Sequence, residues 1–277
     1  MLLEVKELSI EFQDKLLPET VVSHVDFTLA KGEILGIVGE SGSGKSMTAH
    51  AIAGLLSRHD MKKTGEILFG GKNLLTCSRA ELRAIQGNDI SVIFQEPMTS
   101  LNPVKKIGWQ VGESLRIHTD LGKKEIKRQV LSILERVELS DPERVYNQYP
   151  DELSGGMRQR VMIASAMICR PQILIADEPT TALDVTIQAQ IVKLLKKLNQ
   201  TEKTAILFIS HDLSLVKSLC ERVIVMQSGR VVESGASEEI FRHPGEAYTR
   251  QLVEAIPGCE PGKSLREIMQ GIQADSV

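Results

Sequence analysis

The sequence has no excess of positive charge: 33 Lys and Arg stand against 36 Asp and Glu, a formal charge of −3 over 277 residues. It therefore carries no electrostatic footprint for nucleic acid, and no nucleic-acid partner is expected. Paired cysteines are missing as well. Cys77, Cys169, Cys220 and Cys259 are scattered, none at the C-x-x-C spacing of a zinc or redox site, and read as incidental thiols in a reducing compartment. No apolar run approaches the roughly 20 residues that cross a bilayer. The best candidate, Val161 to Cys169, stops at Arg170-Pro171, so a membrane role is expected to come through a partner. Glu4, Lys6 and Glu7 interrupt the opening stretch, which reads as a strand and not as a signal or transit peptide. Internal repeats, low-complexity tracts and heptad runs are absent too. What remains is a near-average globular composition, long enough for one large domain or two small ones.

Leu3, Val5, Leu8 and Ile10 alternate, and Val22, Val25, Phe27 and Leu29 continue in the same half-buried manner, which predicts antiparallel strands. Ile34 to Val38, Ile173 to Ala176 and Ala205 to Ile209 are continuously apolar, as strands of a parallel sheet buried on both faces are. Helical patterns separate them, including Thr186 to Leu198, with Ile187, Ile191, Leu194, Leu195 and Leu198 mostly on one face. The expected class is α/β with a largely parallel core sheet. From about residue 97 to 164 only helical periodicity is legible, so a helical segment is expected to be inserted there; beyond Phe241 the chain turns helical and polar.

The first buried strand runs into Gly39-Glu40-Ser41-Gly42-Ser43-Gly44-Lys45-Ser46, a full match to G-x-x-x-x-G-K-[ST], with a helix expected over Met47 to Leu56. This is a P-loop in its required context: backbone N–H groups curl around phosphate oxygens at a helix N-terminus, Lys45 reaches the β- and γ-phosphates, and the Ser46 hydroxyl ligates Mg²⁺. The second buried strand ends in Asp177-Glu178, two acids at the edge where such sheets bind ligands. Asp177 suits the Mg²⁺ shell and Glu178 the polarisation of an attacking water. Ser154-Gly155-Gly156 opens a helical run, which makes it either a capping turn or an anion site.

A P-loop, Gln95 after the strand Ser91 to Phe94, Leu153-Ser154-Gly155-Gly156-Met157, Asp177-Glu178, Thr181-Ala182-Leu183-Asp184 and His211 follow one another in this order. The order resembles the ATP-binding cassettes of ABC transporters over roughly residues 2 to 235. The resemblance implies a P-loop NTPase cassette with an antiparallel β subdomain and an inserted helical subdomain, residues 1–240 in all, followed by a short extension over 241–277. It implies head-to-tail dimers in which Ser154 and Gly156 touch a nucleotide held by the partner's P-loop. It makes Gln95 the residue that senses Mg²⁺ and the lytic water, places Asp184 in the segment after the acids, and sets His211 on the γ-phosphate. Gly39, Ser41 to Ser46 and Met47 would line the ATP. Phe12 falls where cassettes carry an aromatic that stacks on adenine, or is a strand-end hydrophobe. Met157 replaces the commoner glutamine of the signature.

Finer features, Phe94 to Pro103, Gly155 to Arg160 and Tyr248-Thr249-Arg250-Gln251-Leu252, are similar to the ATPases of peptide/nickel importers, although Glu246-Ala247 replaces the usual His-Pro. That similarity implies an ATPase at the cytoplasmic face of the cell membrane. Its implied partners are two transmembrane permease subunits, a second ATPase (sister or self) and an extracytoplasmic solute-binding protein. The cargo, peptide or nickel and its chelates, stays open; with Cys259 alone in the tail, no iron–sulfur cluster forms there. An exporter ATPase and a soluble repair or translation ATPase are the alternatives. Some of Met98, Leu101, Val104, Ile107 and Trp109 are expected to line a groove for a permease helix; each is otherwise core of the helical segment.

Overall fold

The computed structural model describes residues 1–13, 18–56, 60–95, 100–181 and 183–256. The alternating N-terminal stretch forms β1 (Leu3–Phe12), antiparallel to β2 (Glu19–Leu29). The first continuous apolar run is β3 (Ile34–Val38), followed by the P-loop and α1 (Lys45–Ile52). β4 (Met61–Phe69) and the short β5 (Lys72–Asn73) complete an antiparallel sheet of order β2-β1-β4-β5. After α2 (Arg79–Ile85) and β6 (Ile90–Ile93) the described residues form the α-helices α3 (Ile107–Val111), α4 (Glu113–His118), α5 (Lys123–Arg136), α6 (Pro142–Asn147) and α7 (Gly155–Met167). The chain then alternates through β7 (Ile173–Asp177), α8 (Val185–Glu202), β8 (Ala205–Ile209), α9 (Leu213–Leu219) and β9 (Arg222–Gln227). It closes with β10 (Arg230–Ala236), α10 (Ser237–Arg242) and α11 (Ala247–Glu254). The second sheet has the order β10-β9-β3-β8-β7-β6, parallel except for the edge strand β10.

Every residue of β3, β7 and β8 is buried, and their side chains alternate between two cores. Leu35, Ile37, Ile173, Ile175, Leu207 and Ile209 face the antiparallel sheet and α1. Ile34, Val38, Leu174, Ala176, Ile206 and Phe208 face the inserted helices and α8. The period of two thus builds one sheet with two apolar faces, each fully buried side chain worth about 1.5–3 kcal/mol. Of the inserted helices, α5 closes this core with the stripe Ile126, Val130, Ile133 and Leu134, and α7 is buried on most sides from Val161 to Met167.

Several local expectations change. α1 stops at Ile52, short of Leu56, because Gly54 adopts a left-handed φ of 67°. Its N–H bonds Ala51 O, and the N–H of Leu55 bonds His50 O, a glycine C-cap that ends the helix. The strand expected over Ser91 to Phe94 is shifted by one residue, and Phe94 leaves the sheet exposed. β4, β5, β9 and β10 carried no sequence expectation: β4 is largely polar and exposed along its first six residues, and β9 joins the parallel sheet as a short run. Cys77, Cys169 and Cys220 are free, and burial pushes the Cys169 thiol up to about 11. Cys259, Ala182, Met98 and residues 257–277 lie outside the described residues.

Candidate active site

Because β6, β7, β8 and β3 are parallel neighbours, their C-terminal ends open on one edge. The P-loop leaves β3 there, Asp177 closes β7 with Glu178 beyond it, His211 follows β8, and Gln95 follows β6. Residues up to 172 positions apart in the chain are gathered by strand direction alone.

The P-loop packs too tightly for side chains at two of its glycines. A methyl group on Gly39 would lie 2.1 Å from Met226 O, and one on Gly44, where φ is 97°, would lie 2.8 Å from Val21 O. Lys45, 5% exposed, donates from Nζ to Gly39 O at 2.8 Å and Glu40 O at 2.7 Å, with Ser43 Oγ at 3.3 Å. Burial pushes the Lys45 ammonium below the usual lysine range, although the charges of Glu178, Asp177 and Glu40 act to raise it. A buried cation held mainly by backbone carbonyls is poised for a stronger anionic partner. Ser43 is buried, Ser41 and Gly42 form the exposed tip, and Met47 is half-buried against the core under α1.

Ser46 Oγ donates to Asp177 Oδ1 at 2.9 Å. Two hard oxygens at one point beside the P-loop fit Mg²⁺, which takes one or two protein oxygens and keeps its waters. Glu178 has a left-handed φ of 47°, a costly conformation for a residue with a Cβ. Its Oε2 accepts from Gln95 Nε2 at 2.8 Å and from Thr181 Oγ1 at 3.0 Å, and its Oε1 lies 3.3 Å from His211 Nδ1. The carboxylate is thus oriented from three sides.

Sequence reading missed two contacts here. Thr181 stands in the sequence only as part of the Thr181-to-Asp184 motif, and His50, whose Nε2 lies 3.4 Å from Asp177 Oδ2, belongs to no motif. The signal for His50 is helical spacing, since i+4 from Ser46 sets both on one face of α1. Ser154, Gly156 and Asp184 gather at the starts of α7 and α8. Ser154 and Asp184 are exposed N-caps that accept from Met157 N at 3.3 Å and Ile187 N at 3.0 Å. A methyl on Gly156 would lie 3.1 Å from Ile187, so the two helix starts are neighbours. Phe12 ends β1, opposite Glu19 and Met61. Of the expected groove residues, Leu101, 6% exposed, packs in the core and also lines a groove, Ile107 is core at 0%, and Val104 and Trp109 are exposed; on α3 the helical period turns Ile107 and Val111 inward.

The family model for ABC transporter matches residues 22–181. The chain is 48% identical over 271 residues to the dipeptide transport ATP-binding protein DppD of Haemophilus influenzae, covering 98% of this chain and 82% of that one. It is 49% identical over 260 residues to the oligopeptide transport ATP-binding protein OppD of Bacillus subtilis, covering 94% and 73%. Among solved structures, the dimeric post-hydrolysis state of the cassette MJ0796 bound to ADP and Pi matches with a TM-score of 0.76 at 29% identity, over 85% of this chain and 99% of that one. The cbiO1 component of the ABC transporter complex cbiONQ from Clostridium perfringens matches with 0.73 at 27%, over 98% of both. With a nucleotide-type loop, two acids at the strand ends and these likenesses over nearly its whole length, the chain belongs to the ATP-binding cassettes of the ABC transporter family.

Proposed function

We propose that the chain is the ATPase of an ABC importer, using hydrolysis to drive uptake of di- and oligopeptides, or of nickel and its chelates. The observation that carries the reading is Glu178, bonded by Gln95 and Thr181 and faced by His211, beside the Lys45 ammonium and the Ser46–Asp177 pair. Residues 1–240 act as the nucleotide-binding domain, with the segment of about 97–164 as its helical insert and 241–277 as an extension.

The reaction is phosphoryl transfer to water. Lys45 and the P-loop N–H groups bind the phosphates. Ser46 and Asp177, with Gln95 nearby, would hold Mg²⁺, whose charge offsets that of the phosphate oxygens. Glu178 accepts a proton from the attacking water, while Gln95 and His211 orient the carboxylate and meet the γ-phosphate. Phe12 stacks on the adenine. Ser154, Gly156 and Asp184 complete the nucleotide site of a second ATPase in a head-to-tail dimer; the neighbouring Val185, 80% exposed, suits a face that a partner covers.

No described helix is long and apolar enough to cross a membrane. Attachment to the cytoplasmic face of the cell membrane then runs through two permease subunits. A groove of about 290 Å³, lined by Leu55, Val92, Phe94, Leu101, Gln110 and Met162 among others, supports this. It takes a short amphipathic helix of a permease. The test is ATPase activity of the chain assembled with its permeases, with the solute-binding protein loaded in turn with peptides or with nickel chelates. Stimulation by one class is expected and names the cargo; hydrolysis that neither class stimulates would overturn the importer reading.

A further inference from the structure

The peptide group joining Gly39 to Glu40 is bonded at both ends. Its carbonyl accepts from Lys45 Nζ at 2.8 Å, and its N–H donates to the hydroxyl of Tyr248 at 3.0 Å. A trans peptide points its C=O and N–H in opposite directions, so a partner that fixes the N–H outward aims the carbonyl inward. A flip of this peptide plane would turn the Gly39 carbonyl away from the buried Lys45 and set an N–H in its place, against a cation. The same loop segment holds the lysine a second time through Glu40 O, which also accepts from Ser43 N.

Tyr248 lies 208 positions from Glu40 in the chain, on the first turn of α11, and its support is firm. Its ring is half-buried against the larger core. The approach to the helix is tied to β10, where Glu233 Oε1 accepts from Gly245 N at 2.8 Å and Oε2 from Glu246 N at 3.2 Å. Thr249 and Val253 of the same helix are buried. The hydroxyl is therefore presented by a docked element.

We propose that Tyr248 is a positioning residue of the nucleotide site: its hydroxyl locks the Gly39–Glu40 peptide so that the Gly39 carbonyl keeps Lys45 directed for phosphate. This rests on the reading of Lys45 as a phosphate ligand, and it makes α11 part of the nucleotide-binding apparatus.

The test uses the full chain in its complex and Tyr248→Phe, which keeps the ring and removes only the hydroxyl. The KM for ATP is expected to rise about three- to tenfold, the scale of one neutral hydrogen bond, with a smaller change in kcat at saturating ATP. Hydrogen exchange of the unliganded P-loop, residues 39–45, should quicken while that of residues 247–254 stays as in the parent. Unchanged KM and P-loop exchange overturn the proposal, as does faster exchange of α11 together with the P-loop, which would make the hydroxyl merely structural. A parent chain that binds no ATP removes the nucleotide-site reading itself; a parent that binds ATP beside an unaffected Tyr248→Phe removes this proposal alone.

Discussion

Lys45 is nearly sequestered from water, yet it remains ringed by carboxylates and carbonyls. The sign of its pH dependence follows. In the unliganded fold burial lowers the lysine's proton affinity below its ordinary value of 10.5, so the unfolded chain holds this proton more tightly. The group therefore weakens the fold below its lowered pKa, and that penalty is relieved as pH rises toward 10.5. ATP phosphates favour the ammonium and reverse the shift. Proton uptake on ATP binding is expected on the alkaline side, measurable by calorimetry in two buffers of different ionisation enthalpy. It should vanish in Lys45→Arg, whose guanidinium stays charged throughout. At Glu178 the sequence shows an acid after a buried strand, whereas the left-handed backbone and the grip of Gln95 and His211, which follow two other strands, β6 and β8, are not legible locally; only Thr181, three residues on, is a near neighbour.

Among the elements, the apolar runs of β3, β7 and β8 were legible because a strand buried on both faces needs apolar residues at every position. β4 is not legible in the sequence because its first six residues are largely exposed and polar and carry no apolar pattern. The groove next to Gln95 shows the same limit. Leu101 and Ile107 are apolar in the sequence, but only packing tells that Ile107 is core, that Leu101, 6% exposed, also lines the groove, and that Leu55 and Phe94 are 40% and 42% exposed there. Leu55→Asp puts a charge on the groove wall and leaves the P-loop untouched. Loss of co-purification with the permeases, with ATP affinity within about twofold of the parent, is the expected outcome; normal assembly would remove the groove from the interface.

For the whole molecule, Ser154 and Asp184 accept from the backbone at their own helix starts and Gly156 packs near Ile187, away from the hydrogen bonds that hold Glu178, which suits a site completed between two ATPases. Replacing Glu178 by Gln removes the proposed base and keeps the shape of the side chain. ATP turnover should fall about a hundredfold or more, and ATP should hold a dimer detectable by size-exclusion chromatography; a variant that turns over at the parent rate would take the base role from Glu178. The P-loop, the acid pair, and the order of the motifs were determined by the sequence alone, because each depends on neighbouring residues and on the glycine and lysine chemistry of one short loop. Tertiary structure alone decided which of those motifs meet, which apolar residues cover a core and which line a groove, and that a tyrosine at position 248 bonds the P-loop at position 40. These are matters of strand order and packing between residues far apart in the chain, and local spacing carries no record of them.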